Sequence, residues 1–118
     1  MRTRYEDITS YISKDGSRIK ELMHPDNHDV KNQSLAEATV PPGTKTELHL
    51  HKKTEELYVI FAGFGDMTLG DDTFRVNPGD TICIPPNTPH CIFNPGDDEL
   101  RFFCACSPAY SHQDTVLL

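Results

Sequence analysis

Apolar and polar positions alternate along most of the chain in short runs. "SRIKELM" (17–23), "QSLAEATV" (33–40), "TELHLH" (46–51), "EELYVIFA" (55–62), "GDMTLG" (65–70), "DTFRV" (72–76), "DTICI" (80–84), "HCIFN" (90–94) and "LRFFCAC" (100–106) are of strand length and rich in β-branched and aromatic residues. Turn chemistry separates them, in "KDGS", "HPDN", "PPGT", "AGFG", "NPGD", "PPNTP" and "NPGDD". Short strands at regular spacing predict an all-β sandwich or barrel. Residues 5–14 ("YEDITSYISK") predict a short helix, and the tail 109–118 ("AYSHQDTVLL") is expected either to fray or to dock on a partner surface.

A chain of 118 residues is near the commonest size of one domain and long enough for a real core. The expected organisation is N-terminal strands or a short helix over 1–30, a barrel over 31–108 and the tail. The net charge of −7, with no basic run longer than Lys52-Lys53, argues against a nucleic-acid partner. The N-terminus lacks the apolar centre of a signal peptide, and "LYVIFAGF" is too short to span a bilayer. No membrane partner is expected, and a reducing cytoplasm is the expected compartment. Cys83, Cys91, Cys104 and Cys106 are then free thiols packing as small hydrophobes.

His49 and His51 change the picture. On a helix, residues two apart point about 200° away from each other. On a strand they share a face with Cα atoms roughly 6.6 Å apart, which two imidazoles can close onto one metal at about 2.1 Å. After "KKT" the chain can reverse, so that Glu55 or Glu56 comes beside the pair; strand parity alone does not choose between them. His90 follows a corner stiffened by Pro85, Pro86 and Pro89, which would fix the direction of its imidazole. Asn87 sits at the centre of that corner, where positive φ is expected and Asn is the best substitute for Gly. His24, His28 and His112 read as ordinary surface or hydrogen-bonded residues.

These residues resemble the cupin superfamily. Its first motif is matched by Gly43, His49, His51, Glu56 and Gly63, and the six-residue gap to Gly63 selects Glu56 over Glu55. Its second motif is matched by Gly79, Pro85, His90 and Asn94, with Asn87 in place of a glycine. The resemblance implies a double-stranded β-helix (jelly-roll) barrel of six to eight strands with a metal inside, and a homodimer formed through an outer sheet face. It also implies a metal set of His49, His51, Glu56 and His90.

Three imidazoles and one carboxylate suit one divalent transition metal per chain, with Fe, Mn, Zn, Ni, Co and Cu all compatible. The expected function is metal-dependent chemistry on a small polar molecule, either oxygen-dependent as in a dioxygenase or Lewis-acid as in an isomerase or cyclase. The alternative is a non-catalytic module that binds a small molecule. Tyr58, on the Glu56 face, is the candidate catalytic residue. Gln33, Ser34 and Phe103 are candidates for substrate binding, and Cys83 and Cys104 for the barrel interior.

Overall fold

The computed structural model describes all of residues 1–118. Eleven strands form two antiparallel sheets: β1 (Tyr11–Ile12), β2 (Arg18–Met23), β3 (Ser34–Val40), β4 (His49–His51), β5 (Glu55–Ala62), β6 (Gly65–Leu69), β7 (Asp72–Val76), β8 (Thr81–Ile84), β9 (His90–Phe93), β10 (Leu100–Ser107) and β11 (Thr115–Leu117). One sheet runs β1-β2-β3-β10-β5-β8 and the other β11-β4-β9-β6-β7. The eight strands β3 to β10 make up the jelly roll, and the short β1, β2 and β11 extend it beyond the expected count.

The helix expected over 5–14 does not form. A single 3-10 turn (Tyr5–Asp7) follows Arg4, which is extended and makes no side-chain cap. The segment is uncapped, and Tyr11 and Ile12 pair with Ile19 and Arg18 as β1 instead of completing a helical face. The tail neither frays nor waits for a partner: β11 pairs with β4, joining Thr115 to His51 and Leu117 to His49.

Alternation fills the interior. Along β5, Glu56, Tyr58 and Ile60 point inward while Glu55, Leu57 and Val59 are exposed. Phe102, Ile60, Met67, Ile84, Ile92 and Leu100 are fully buried, each stabilising the fold by about 1.5–3 kcal/mol relative to exposure. The inward positions also grade along each strand. Val40, Leu100 and Ile60 join the apolar core, whereas Ser34, Ala36 and Ala38 on β3, Cys106, Cys104 and Phe102 on β10, and Glu56 and Tyr58 on β5 line a cavity. Large apolar side chains close one end of the barrel, and at the other the small Ala36 and Ala38 and the polar Ser34 and Glu56 leave a cavity beside Tyr58 and Phe102.

The motif turns have steric causes. At Gly63, φ is +75° and an added Cβ would lie 2.6 Å from the Glu99 carbonyl, so no other residue fits there. Asn87 takes φ +63° as expected, and its N–H donates to the His51 carbonyl at 2.6 Å. Asn94 braces the second motif: its Nδ2 donates to the Val40 and Asp98 carbonyls at 2.9 and 2.8 Å.

Candidate metal centre

β4 and β9 place the three histidines. His49 pairs directly with His90 in the sheet, and His51 lies two residues along the same face as His49. All three are buried, with ligand nitrogens within 4.8 Å of one another. Their ring centroids are 4.2 Å (His49–His90), 5.2 Å (His49–His51) and 5.4 Å (His51–His90) apart. Glu56, buried on β5, brings Oε1 to 3.2 Å from His51 Nε2 and 3.6 Å from His90 Nε2. Glu55 faces solvent.

Each imidazole has its outward nitrogen tied down. Nδ1 of His49 donates to the Glu47 carbonyl at 2.7 Å, and Nδ1 of His90 donates to the Thr88 carbonyl at 2.9 Å. Nδ1 of His51 lies 2.9 Å from Thr115 Oγ1, whose own proton goes to the Ser111 carbonyl at 2.9 Å. That hydroxyl therefore accepts from His51. With Nδ1 protonated in every ring, the three Nε2 atoms turn lone pairs inward. Outer hydrogen bonds of this kind orient histidine ligands at metal sites.

Burial first, then the neighbouring His90, holds His49 below its usual range and therefore neutral. Burial alone would push the Glu56 carboxyl up, but positive charge on the His51 and His90 side of it more than offsets burial and holds it at about 2; with lone pairs on those nitrogens, that charge has to come from a bound cation. Glu56 Oε1 and His90 Nε2 are buried without any hydrogen-bond partner. Buried polar atoms rarely go unpaired, and the lone-pair nitrogens of His51 and His90 repel the ionised Glu56 oxygen beside them unless a cation lies among them. The donor set fits a divalent transition ion.

The cavity encloses about 520 Å³ counting its open mouth. Ser34 lines it and accepts from the Tyr110 N–H at 3.0 Å. Tyr58 lines it too; burial, followed by the charge of Glu56, raises its phenol well above the ordinary range. Cys104 is in the wall, and the Cys106 thiol donates to Glu56 Oε2 at 3.3 Å. Three candidates fall elsewhere. Gln33 is exposed, one residue out of parity with Ser34. Phe103 points away from the cavity and stacks on Phe61 at 4.5 Å, while Phe102 takes the inward place. Cys83 lies on the outside of β8.

Sequence reasoning missed the wall supplied by the two ends of the chain: Tyr11, Asp15, Glu21, Tyr110 and Thr115. Tyr11 Oη donates to Glu21 Oε1 at 2.9 Å, and Glu21 Oε2 is buried without a partner. One available signal was the shared parity of Ile19 and Glu21 on β2, both of which line the cavity.

Residues 36–106 match the family model for the cupin domain. The chain is 52% identical over 118 residues to an uncharacterized protein of Methanocaldococcus jannaschii, covering 100% of this chain and 94% of that protein. It is 31% identical over 87 residues to the mannose-1-phosphate guanylyltransferase RfbM of Salmonella typhimurium; that match takes in 74% of this chain but only 18% of the transferase. Among solved structures, a variant of Streptomyces PAC13 with uridine superposes with a TM-score of 0.82 at 17% identity, over 100% of this chain and 89% of the other. PAC13 is described as a nucleoside dehydratase, and at that identity the likeness concerns the fold alone. The family model and the motif residues agree, and the chain belongs to the cupin family.

Proposed function

We propose that this protein is a metal-dependent cupin that carries out Lewis-acid chemistry, through proton transfer, on a small neutral molecule bearing hydroxyl or carbonyl groups. His49, His51, His90 and Glu56 would hold one divalent ion. The observation that carries the reading is the buried cluster of three histidines, two of which face Glu56 Oε1, with Glu56 Oε1 and His90 Nε2 unpartnered. When bound, the ion supplies Lewis acidity that polarises an oxygen of the bound molecule.

The cavity lining supports the substrate class. It contains Asp15, Glu21 and Glu56 and no lysine or arginine, so an anionic substrate would meet like charge from the wall, with the ion itself as its one counter-charge. Glu21 Oε2 is an acceptor awaiting a hydroxyl. Tyr58 and Tyr11, both held protonated by burial, offer donors to the same space. The same reading takes the chain as a homodimer, supported by Leu35, Leu57 and Val59, 38–41% exposed on the outer face of the six-stranded sheet.

The test is metal analysis of protein purified without chelator, followed by calorimetric titration of the loaded protein with uridine, mannose and oxalate. About one ion per chain and binding of a neutral probe in preference to oxalate is the expected result. Protein that retains no metal would leave the non-catalytic binding module as the function. Preferential oxalate binding would overturn the substrate class.

A further inference from the structure

We infer that Asp15 is a second carboxylate of the metal centre, ligating through Oδ2 and turning the three-histidine, one-glutamate set into a three-histidine, two-carboxylate set. The inference rests on the metal-centre reading above. Asp15 lies in the turn between β1 and β2, remote from both motifs, yet its side chain is only 14% exposed. Its Oδ1 is saturated, accepting from Ser13 Oγ at 2.5 Å, Ser17 N–H at 2.9 Å and Ser17 Oγ at 2.6 Å. Its carbonyl accepts from the Glu47 N–H at 2.7 Å, which fastens the turn to the segment leading into β4. Every contact holds the residue still and leaves Oδ2 free.

Oδ2 stands 3.6 Å from His49 Nε2. His49 has committed Nδ1 as a donor to Glu47, so Nε2 offers a lone pair, and the carboxylate oxygen offers another. Two acceptors facing each other at this distance repel unless a proton, a water or a cation lies between them, and a metal ion held by His49 is placed to be shared with Oδ2. Two atoms each about 2.1 Å from one ion are about 3.0 Å apart at a right angle and about 4.2 Å apart when opposed. A separation of 3.6 Å lies between these limits, as do the 3.2 and 3.6 Å of Glu56 to His51 and His90. The two carboxylates divide the triad: Glu56 stands within 4 Å of His51 and His90, and Asp15 stands beside His49.

The second carboxylate has a consequence for substrate. A divalent ion with one carboxylate leaves the centre with a net charge of +1, suited to an anionic donor. With two it is neutral, and a neutral hydroxyl or carbonyl oxygen becomes the better-matched occupant of an open position.

Asp15→Asn keeps an oxygen for the Ser13 and Ser17 donors and removes the anionic ligand. Titrated with Co(II), the wild-type protein should bind one ion per chain. Asp15→Asn should bind it at least ~10-fold more weakly, with altered visible absorption and an unchanged melting temperature of the metal-free protein. In crystals of the wild-type protein loaded with Zn(II), Oδ2 should lie within about 2.2 Å of the ion; this measurement stands even if the variant does not fold. Equal Co(II) affinity and spectrum in the two proteins, or an Oδ2 well outside that bonding distance, would overturn the role of Asp15 alone. A wild-type protein that binds no Co(II) would overturn the metal-centre reading itself.

Discussion

The motif strands β4, β5 and β9 and the two terminal segments meet at one cavity and bring different chemistry to it. The motif strands supply the inward atoms of His49, His51, His90 and Glu56. The terminal segments supply support and closure. Thr115 takes the outward proton of His51, and Asp114 accepts from the Lys53 and Thr54 N–H groups in the connection between β4 and β5. Tyr11, Asp15, Glu21 and Tyr110 then complete the wall. The motif donors thus all come from the middle of the chain, whereas much of the charge and shape around them comes from its ends.

The largest expected effect lies on the motif side. His49→Ala/His51→Ala should lower bound metal from about one ion per chain to near zero. The metal-free protein should still melt cooperatively, because the apolar core of Ile60, Met67, Ile92 and Leu100 lies beyond these side chains. Elemental analysis beside a thermal melt reads both quantities, and retained metal would sink the ligand assignment. On the terminal side, Thr115→Val keeps the shape of the side chain but removes the acceptor that holds His51 in its Nδ1–H tautomer. Metal affinity should fall by ~10–100-fold, as for other partners that orient ligands. An affinity unchanged from wild type would show that β11 covers the site without tuning it.

Strand parity explains how much of this was legible in the sequence. The pairing of His49 with His51, and of Glu56 with Tyr58, follows from a period of two, and the outward nitrogens find their partners in that frame. The errors arise where parity has nothing to grip. In "LRFFCAC" every residue after Arg101 is apolar, so nothing distinguishes Phe102 from Phe103, and a slip of one residue inverts the face. Gln33 and Ser34 are both polar and sit at a strand edge, with the same result. The terminal contributions escaped for a different reason. Thr115 lies 64 residues from His51 in sequence, and Asp15 reads as an ordinary turn residue in "KDGS". No periodicity encodes which loop a distant strand will meet. The β-branched pair Thr115-Val116 was the one local hint that the tail forms a strand.

The smallest expected effect tests whether the terminal wall is shaped for function at a cost to stability. Burial raises the Glu21 carboxyl above its ordinary 4.5; the Tyr11 hydrogen bond and then His24 oppose the rise, while Asp26 and Glu56 add to it. The sign follows from proton counts. As pH climbs past 4.5 the unfolded chain releases the Glu21 proton before the folded chain does, so the folded state loses stability through the window from 4.5 up to the raised folded value. Glu21→Gln cannot ionise and retains an oxygen for the Tyr11 hydroxyl. It should therefore be more stable than wild type at pH 7, seen as a rise in melting temperature. The gain should vanish below about pH 4.5. The same variant should bind neutral hydroxyl probes more weakly, because the unpartnered Oε2 that costs stability is the acceptor offered to them. A variant no more stable than wild type at pH 7 would mean that His24 already compensates the charge, and the terminal wall would then be ordinary packing.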